Sequence, residues 1–179
     1  MNFSFIDNMH QAEKNYNLLV QPSSVYYLNM HLRLSTLFYS TQLVDIFSYE
    51  IPSNNLNLEQ QLLSTADSSL LVYNYHSLVT QDRFFVFVHC GSSYNADGSS
   101  RSTVQSVSEL FSAANWLERE VSELSGISMS GKKDLRNLML QYGDASTPFK
   151  KSFPTIGLRE MFYNPVKDTI VQNPVTMQL

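Results

Sequence analysis

The most regular alternation of apolar and polar positions lies between residues 106 and 127. Ala113, Trp116, Leu117, Val121 and Leu124 recur at the i, i+3, i+4, i+8 and i+11 spacing of one helical face. Ser106-Val107-Ser108-Glu109 has the Ser-x-x-Glu form of a capping box, and Gly126 is a natural stop. The pattern predicts a helix that begins near Val107, breaks around Ser112 and ends at Gly126. On this face Glu120 sits in the middle and Glu118 points the opposite way. An unpaired buried carboxylate costs several kcal/mol, so Glu120 either lies at the rim and reaches water or meets a cation from a distant segment. Arg136 and Arg159 are the candidates, since a guanidinium can bind a carboxylate through two parallel hydrogen bonds. Arg119 and Glu123, four apart, are neighbours on the helix surface, a pairing worth about 0.2–0.5 kcal/mol when exposed.

Upstream, Val25, Leu28, Met30 and Leu32 mark a first amphipathic helix over Val25 to Leu34. Leu37 to Tyr39 and Leu43 to Tyr49 are rich in strand formers and end at Pro52 and Ser53-Asn54-Asn55. Leu56 to Leu63 reads as a short inserted helix. Leu70 to Val79 and Phe84 to His89 flank the polar Gln81-Asp82-Arg83 and predict a β-hairpin. Gly91 to Ser102 offers little to pack and reads as a loop. Met1 to Gln21 is weakly patterned, a short helix or a loose, partner-docked terminus. Beyond Gly131, Asp134 to Leu140 suits a helical turn. Pro148, Pro154, Pro165 and Pro174 then recur too often for regular structure, which predicts an extended arm with brief strands such as Arg159 to Tyr163. The expected fold is α/β (α+β): a small mixed sheet with helices packed on it, then the arm. It divides into an N-terminal segment 1–24, a core domain 25–127 and a C-terminal arm 128–179.

Composition narrows the function classes. With 43% hydrophobic and 16% charged residues the chain is globular, and its low charge together with 10 Tyr and 11 Phe suits a surface covered by partners. A single cysteine, Cys90, excludes a disulfide or a Cys-based cluster within the chain. No apolar run approaches the roughly 20 residues that span a bilayer. Asp7 and Glu13 precede the first arginine, Arg33, unlike an Arg-rich transit peptide, so the chain is expected to be made where it works or to be a processed form. Residues 132–167 hold seven basic residues against three acids, a local +4 that leaves −8 for the rest of a chain of net charge −4. Nucleic acid is a poor partner for such an acidic chain without a recognition motif.

Catalytic constellations are weak. His89 and Cys90 are adjacent in an expected strand and point to opposite faces, so they form no thiolate-imidazole pair. Gly126-Ile127-Ser128-Met129-Ser130-Gly131 has the wrong spacing for a nucleophile elbow and follows a helix. His10, His31, His76 and His89 lack ligand spacing, and no Gly-rich phosphate loop indicates NADH or flavin binding. Glu118, Glu120 and Glu123 share one helix without forming an acid-base dyad. Neither a catalytic nor a metal-binding residue is therefore assigned.

One ordered series stands out. Asn115-Trp116-Leu117-Glu118-Arg119-Glu120, Glu123, Gly126-Ile127 and then Gly131-Lys132-Lys133-Asp134-Leu135-Arg136 resemble the signature of the thirty-kilodalton subunit of respiratory complex I. Tyr142-Gly143, Pro148-Phe149-Lys150-Lys151, Phe153-Pro154, Gly157, Glu160 and Tyr163 follow in that family's order. Upstream, Gln42-Leu43-Val44-Asp45-Ile46 and Leu71-Val72-Tyr73-Asn74 resemble two of its strands, so the likeness covers about residues 26–176. Three features depart from the pattern: Lys132-Lys133 replaces a usual His-Pro, Ser152 replaces an acid, and residues 53–69 are longer than the usual link. The resemblance implies a subunit without redox centres or cofactors of its own, on the matrix side of mitochondrial complex I and encoded in the organelle. Its partners would be the forty-nine-kilodalton quinone-site subunit and neighbouring iron-sulfur subunits. It also implies that the helix charges orient the basic arm or a neighbouring subunit. Docking residues would be Trp116, Glu118, Arg119, Glu120, Glu123, Lys132, Lys133, Asp134, Arg136, Pro148, Lys150, Lys151, Phe153, Pro154 and Arg159, with Phe149 and Phe162 as further apolar anchors. A free-standing α/β binding module or hydrolase is the alternative.

Overall fold

The computed structural model describes residues 6–12, 15–35, 41–51, 68–79, 81–90, 103–144 and 146–176. Its main sheet has five strands: β1 (Ile6–Ala12), β2 (Asn15–Val20), β3 (Thr41–Ile51), β4 (Ser68–Ser77) and β5 (Arg83–Cys90). Their spatial order is β1-β2-β5-β4-β3, with β2 parallel to β5 and every other pair antiparallel. Helix α1 (Val25–Leu34) joins β2 to β3. Strand β6 (Thr103–Gln105), helix α2 (Ala114–Ser125) and strand β7 (Ser128–Ser130) form a second unit in which β6 and β7 pair in parallel. A hairpin, β8 (Arg159–Asn164) and β9 (Thr169–Pro174), ends the described chain. This is the mixed α+β architecture expected.

Strand position in the sheet explains the sequence patterns. Central β4 has neighbours on both edges, and Leu70 to Tyr73 are all buried, giving a nearly continuous apolar run. Edge strand β3 alternates, with Leu43 and Ile46 buried and Val44 and Phe47 exposed. Leu43 and Ile46 are three apart and could not share a face of a regular strand. A bulge between Leu43 and Asp45 resets the register, and the Asp45 carboxylate accepts the Ile46 N–H at 2.8 Å. The predicted β4–β5 hairpin is present, its loop closed by Gln81 N–H to the Ser77 carbonyl at 2.9 Å. His89 is exposed and Cys90 buried, on opposite faces as strand geometry requires.

The core lies between this sheet and the helices. Val25, Leu28, Asn29 and Leu32 are the buried positions of α1, so Asn29 takes the place expected of Met30. Its amide is satisfied on both sides, donating to the Val25 carbonyl at 2.8 Å and accepting from the Tyr75 hydroxyl. Burial pushes the Tyr75 phenol far above its ordinary range, partly opposed by the Asn29 hydrogen bond. Tyr75 stacks on Phe84 with ring centroids 5.2 Å apart and also meets Tyr73 and Phe111.

Several expectations need correction. The N-terminal segment supplies β1 and β2 instead of a helix or loose terminus, because β2 finds the free edge of β5 in a pairing 68 residues away. Asp134 to Leu140 is not helical: it is irregular chain with bends, and side chains from α2 take up its backbone polar groups. Ser128 to Lys132, assigned to the arm, is packed into the body: β7 pairs with β6, and Met129 and Lys132 are buried. The expected elements at 37–39, 56–63 and 91–102 lie outside the described residues, apart from the residues that border them.

The arm begins by closing the end of α2. Gly126 adopts φ 75°, a left-handed cap, and its N–H bonds the Ser122 carbonyl at 3.1 Å. Phe149 N–H takes the otherwise orphaned Leu124 carbonyl at 2.9 Å, and Lys151 N–H reaches Glu50 on β3 at 2.5 Å. A side chain at Gly126 would place its Cβ 2.9 Å from Thr147 Cγ2. Gly131 has a similar φ of 76° with nothing near its would-be Cβ. Thermal unfolding of the purified chain should therefore show Gly131→Ala costing about 1–2 kcal/mol for the left-handed backbone. Gly126→Ala should cost measurably more, because Thr147 must also move. Equal losses would mean that the arm does not press on the helix end.

Candidate functional site

Helix α2 buries Ala114, Glu118, Val121 and Ser125, at i, i+4, i+7 and i+11, together with Arg119. The face expected from the apolar residues is therefore rotated. Trp116 is 61% exposed, Ala113 is exposed and Glu120 is half-buried, whereas Glu118 is 0% exposed. Trp116 misleads the periodicity because its ring lies on the surface beneath the Arg119 guanidinium, 5.9 Å from the ring centroid.

The buried carboxylate is fully enclosed by partners. Glu118 accepts the Lys132 ammonium at 3.0 Å, the Ser106 hydroxyl at 2.6 Å and the Val107 N–H at 2.7 Å. Lys132 also donates to the Asn115 carbonyl at 2.9 Å. The expected capping box is thus replaced. Val107 to Leu110 forms turns and the helix starts at Ala114. Glu109 is exposed and only approaches Lys133, at 3.5 Å. The carboxylate that captures the free N–H comes from α2 itself, because only there is it also neutralised by a buried cation.

Arg119 and Glu123 do not pair with each other. Arg119 donates to the Arg136 carbonyl at 2.8 Å and the Asn137 carbonyl at 3.3 Å, and it lies 3.5 Å from the Asp134 carboxylate. Glu123 accepts the N–H groups of Leu138, of Met139 at 2.8 Å and of Leu140 at 3.1 Å. The cation holds carbonyls and the anion holds N–H groups of one continuous strip of backbone. That strip has no ladder of its own, so these bonds supply what secondary structure otherwise would. Charge-assisted bonds of this kind are worth about 1.5–3 kcal/mol each when sheltered.

Arg136 folds back onto Asp134, Nε to Oδ1 at 3.0 Å, and this contact holds the Asp134 carboxyl well below the usual carboxylate range. Any stability it contributes is complete above the unfolded value of about 3.9 and is lost only as pH falls lower. Neither Arg136 nor the exposed Arg159 reaches Glu120, which makes no ion pair among the described residues. The two-bond fork of a guanidinium pointed to those arginines, whereas the buried carboxylate is Glu118 and the cation that reaches it is Lys132, just past β7. Lys133, Lys150 and Lys151 are exposed, while Pro148, Phe153 and Pro154 are half-buried. Phe149 and Phe162 are exposed. Ser106, the Val107 N–H and the Asn115 carbonyl were not foreseen as partners. The available signal was the Ala114, Glu118, Val121, Ser125 repeat, hidden because two of its four members are polar.

Among the described residues, no three or more His, Cys, Asp or Glu side chains gather as metal ligands. Ser130 Oγ, within the glycine-bounded segment, points to the Val104 carbonyl at 3.4 Å. Glu118, Arg119 and Glu123 of α2 are engaged in holding the chain's own backbone. Glu118→Ala should destabilise the purified chain by about 3–5 kcal/mol, since it leaves a buried ammonium and a buried N–H without partners. Glu120→Ala should stay within about 0.5 kcal/mol. Chemical denaturation of both variants checks the order, and comparable losses would contradict the assignment of the buried face.

The family profile described as "Respiratory-chain NADH dehydrogenase, 30 Kd subunit" matches residues 14–158. NADH-ubiquinone oxidoreductase subunit 9 of Paramecium primaurelia is 29% identical over 176 residues, 97% of this chain and 79% of that protein. The mitochondrial 30.4 kDa subunit of NADH-ubiquinone oxidoreductase from Neurospora crassa is 30% identical over 89% of this chain and 50% of its own length. An NADH-quinone oxidoreductase subunit of Methylibium petroleiphilum is 44% identical over 42% of this chain and 37% of its own. The chain thus spans half or less of these fungal and bacterial relatives. A chain of the membrane-bound sulfane sulfur reductase, an archaeal respiratory membrane complex, shares the fold with a TM-score of 0.65 at 13% identity, covering 86% of this chain and 80% of that one. The profile match runs through both the main sheet and the α2 network, and the chain belongs to the family of the 30 kDa subunit of the respiratory-chain NADH dehydrogenase.

Proposed function

We propose that this protein is a structural, non-redox subunit of the peripheral arm of mitochondrial complex I. It supports electron transfer from NADH to ubiquinone by holding cofactor-bearing neighbours in place and carries no cofactor itself. The observation that carries this reading is the use made of Glu118, Arg119 and Glu123, whose charges are taken up by backbone and by Lys132 instead of facing a substrate. The reading assigns it the forty-nine-kilodalton quinone-site subunit and iron-sulfur subunits as neighbours, on the matrix side, with an organelle gene. Among the described residues no helix is long and apolar enough to cross a membrane. No observation favours the hydrolase alternative.

The β8–β9 hairpin suits docking, since it is exposed on nearly every residue and carries Met161, Phe162, Tyr163 and Ile170 outward. Native-gel separation of mitochondrial membranes, with mass spectrometry of the NADH-oxidising band, should find the chain in that assembly; its absence there would sink the proposal. The purified chain should show no flavin or iron-sulfur absorbance, and a stoichiometric chromophore would overturn the non-redox assignment. Removal of residues 158–179 should leave the melting of the remaining chain nearly unchanged and lower its incorporation into the complex. Truncation after Gly131, by contrast, would remove Lys132 and should unfold the body.

A further inference from the structure

We infer that the cleft between the C-terminal end of α1 and the N-terminal end of α2 binds a small amphiphilic carboxylate, its charged group on Arg33 and its apolar body against Phe111, Leu110 and Leu78. The inference is independent of the subunit reading above and adds a ligand to it.

The ends of four elements meet at this cleft. Arg33 stands in the last turn of α1, Thr41 at the start of β3, Leu78 just after β4, and Leu110 to Ala113 in the turns before α2. Together they bound about 450 Å³, a volume usual for small-molecule sites. Three sets of donors stand open on its wall. The Arg33 guanidinium makes no ion pair among the described residues, and no described carboxylate lines the cleft to balance it. The N–H groups of Ser112 and Ala113 are bonded to no other described group, and Ala113, the N-cap of α2, lacks a side-chain cap. Thr41 is 3% exposed, yet its buried hydroxyl has no hydrogen-bond partner. A buried hydroxyl left in that state weakens the fold, and a ligand that accepts from it recovers the loss.

The carbonyl ends of a helix favour a cation in its last turn, which accounts for an arginine at position 33. It does not account for the guanidinium lying 5.9 Å from the centroid of the Phe111 ring, where the charge is held beside the apolar wall.

Charge and shape set the ligand class. One guanidinium balances one negative charge and offers a carboxylate two parallel hydrogen bonds, whereas a phosphate monoester carries nearly two charges. Free N–H groups at a helix start add to the preference for an anion. The leucines and Phe111 then favour a carboxylate with an alkyl or aryl body over a bare ion.

Sodium octanoate is the probe, titrated into isotope-labelled full-length chain and followed by amide resonances, with melting of each variant as the control for folding. One saturable site is expected, and the Ser112 and Ala113 amides should move as it fills. Octanol and inorganic phosphate, each keeping half of the probe's chemistry, should bind at least tenfold more weakly. Arg33→Gln should melt as the wild type does and lose at least tenfold in affinity. Thr41→Val should melt no lower and lose severalfold. Lys167→Gln, at an exposed cation of the β8–β9 hairpin, should bind as the wild type does. Absence of saturable uptake, or uptake that leaves the Ser112 and Ala113 amides unmoved, would overturn the site. Unchanged affinity in Arg33→Gln or in Thr41→Val would do the same. Octanol binding as tightly as octanoate would reveal a merely apolar crevice, and phosphate binding as tightly would remove the role of the apolar wall; either overturns the ligand class. None of these outcomes bears on membership of the complex, which the native gels test separately.

Discussion

The body of this protein is organised around one buried anion. Glu118 sits where an apolar residue would ordinarily be, and it is tolerated because a hydroxyl and an N–H from the adjacent Ser106 and Val107 and an ammonium from Lys132 converge on it. Those partners fix, in turn, the turn before α2, the helix itself and the strand end after it. An isolated carboxylate could not remain there, and a leucine could hold the helix but not the register of the other two segments. The same helix orders the next stretch through Arg119 and Glu123. A single twelve-residue helix thus positions chain from Ser106 to Leu140.

This division of labour separates the two halves of the fold. The main sheet and α1 are held mostly by apolar packing, with Leu71, Tyr73, Val86 and Val88 fully buried. The second half, from β6 onward, has shorter strands and buries fewer of its apolar residues, and side-chain to backbone bonds do much of what packing does elsewhere. Burial of apolar area tolerates exchange among residues of similar size, whereas directional charge networks do not. The residues on which the family resemblance rests fall mainly in that second half.

How much was legible in the sequence follows from the same distinction. The β4–β5 hairpin, α1 and β3 could be read because runs of apolar strand or helix formers bounded by turn residues mark them locally. Strand β2 could not, since its partner edge is created by residues 83–88 and nothing local marks a parallel pairing. The face of α2 was misread because Trp116 is apolar but exposed and Glu118 is charged but buried; periodicity treats each in the opposite sense. The residues of the site were named as a set by the signature, yet their roles depended on which side chain reached which backbone group. Spacing along the chain does not encode that.

The parallel β2–β5 pair has a consequence for how the chain comes off a ribosome. The β3–β4–β5 meander can form from neighbouring segments, but β2 emerges before them and has no partner in its sheet except β1 until residues 83–88 have been made. During that interval Leu18, Leu19 and Val20 lie on a strand with one unpaired edge. Closing this long-range contact is the slow entropic step of such a topology, and an open apolar edge is where aggregation competes. The order of synthesis therefore leaves β2 waiting for the middle of the chain, a vulnerability that belongs to biogenesis and vanishes once the sheet is complete.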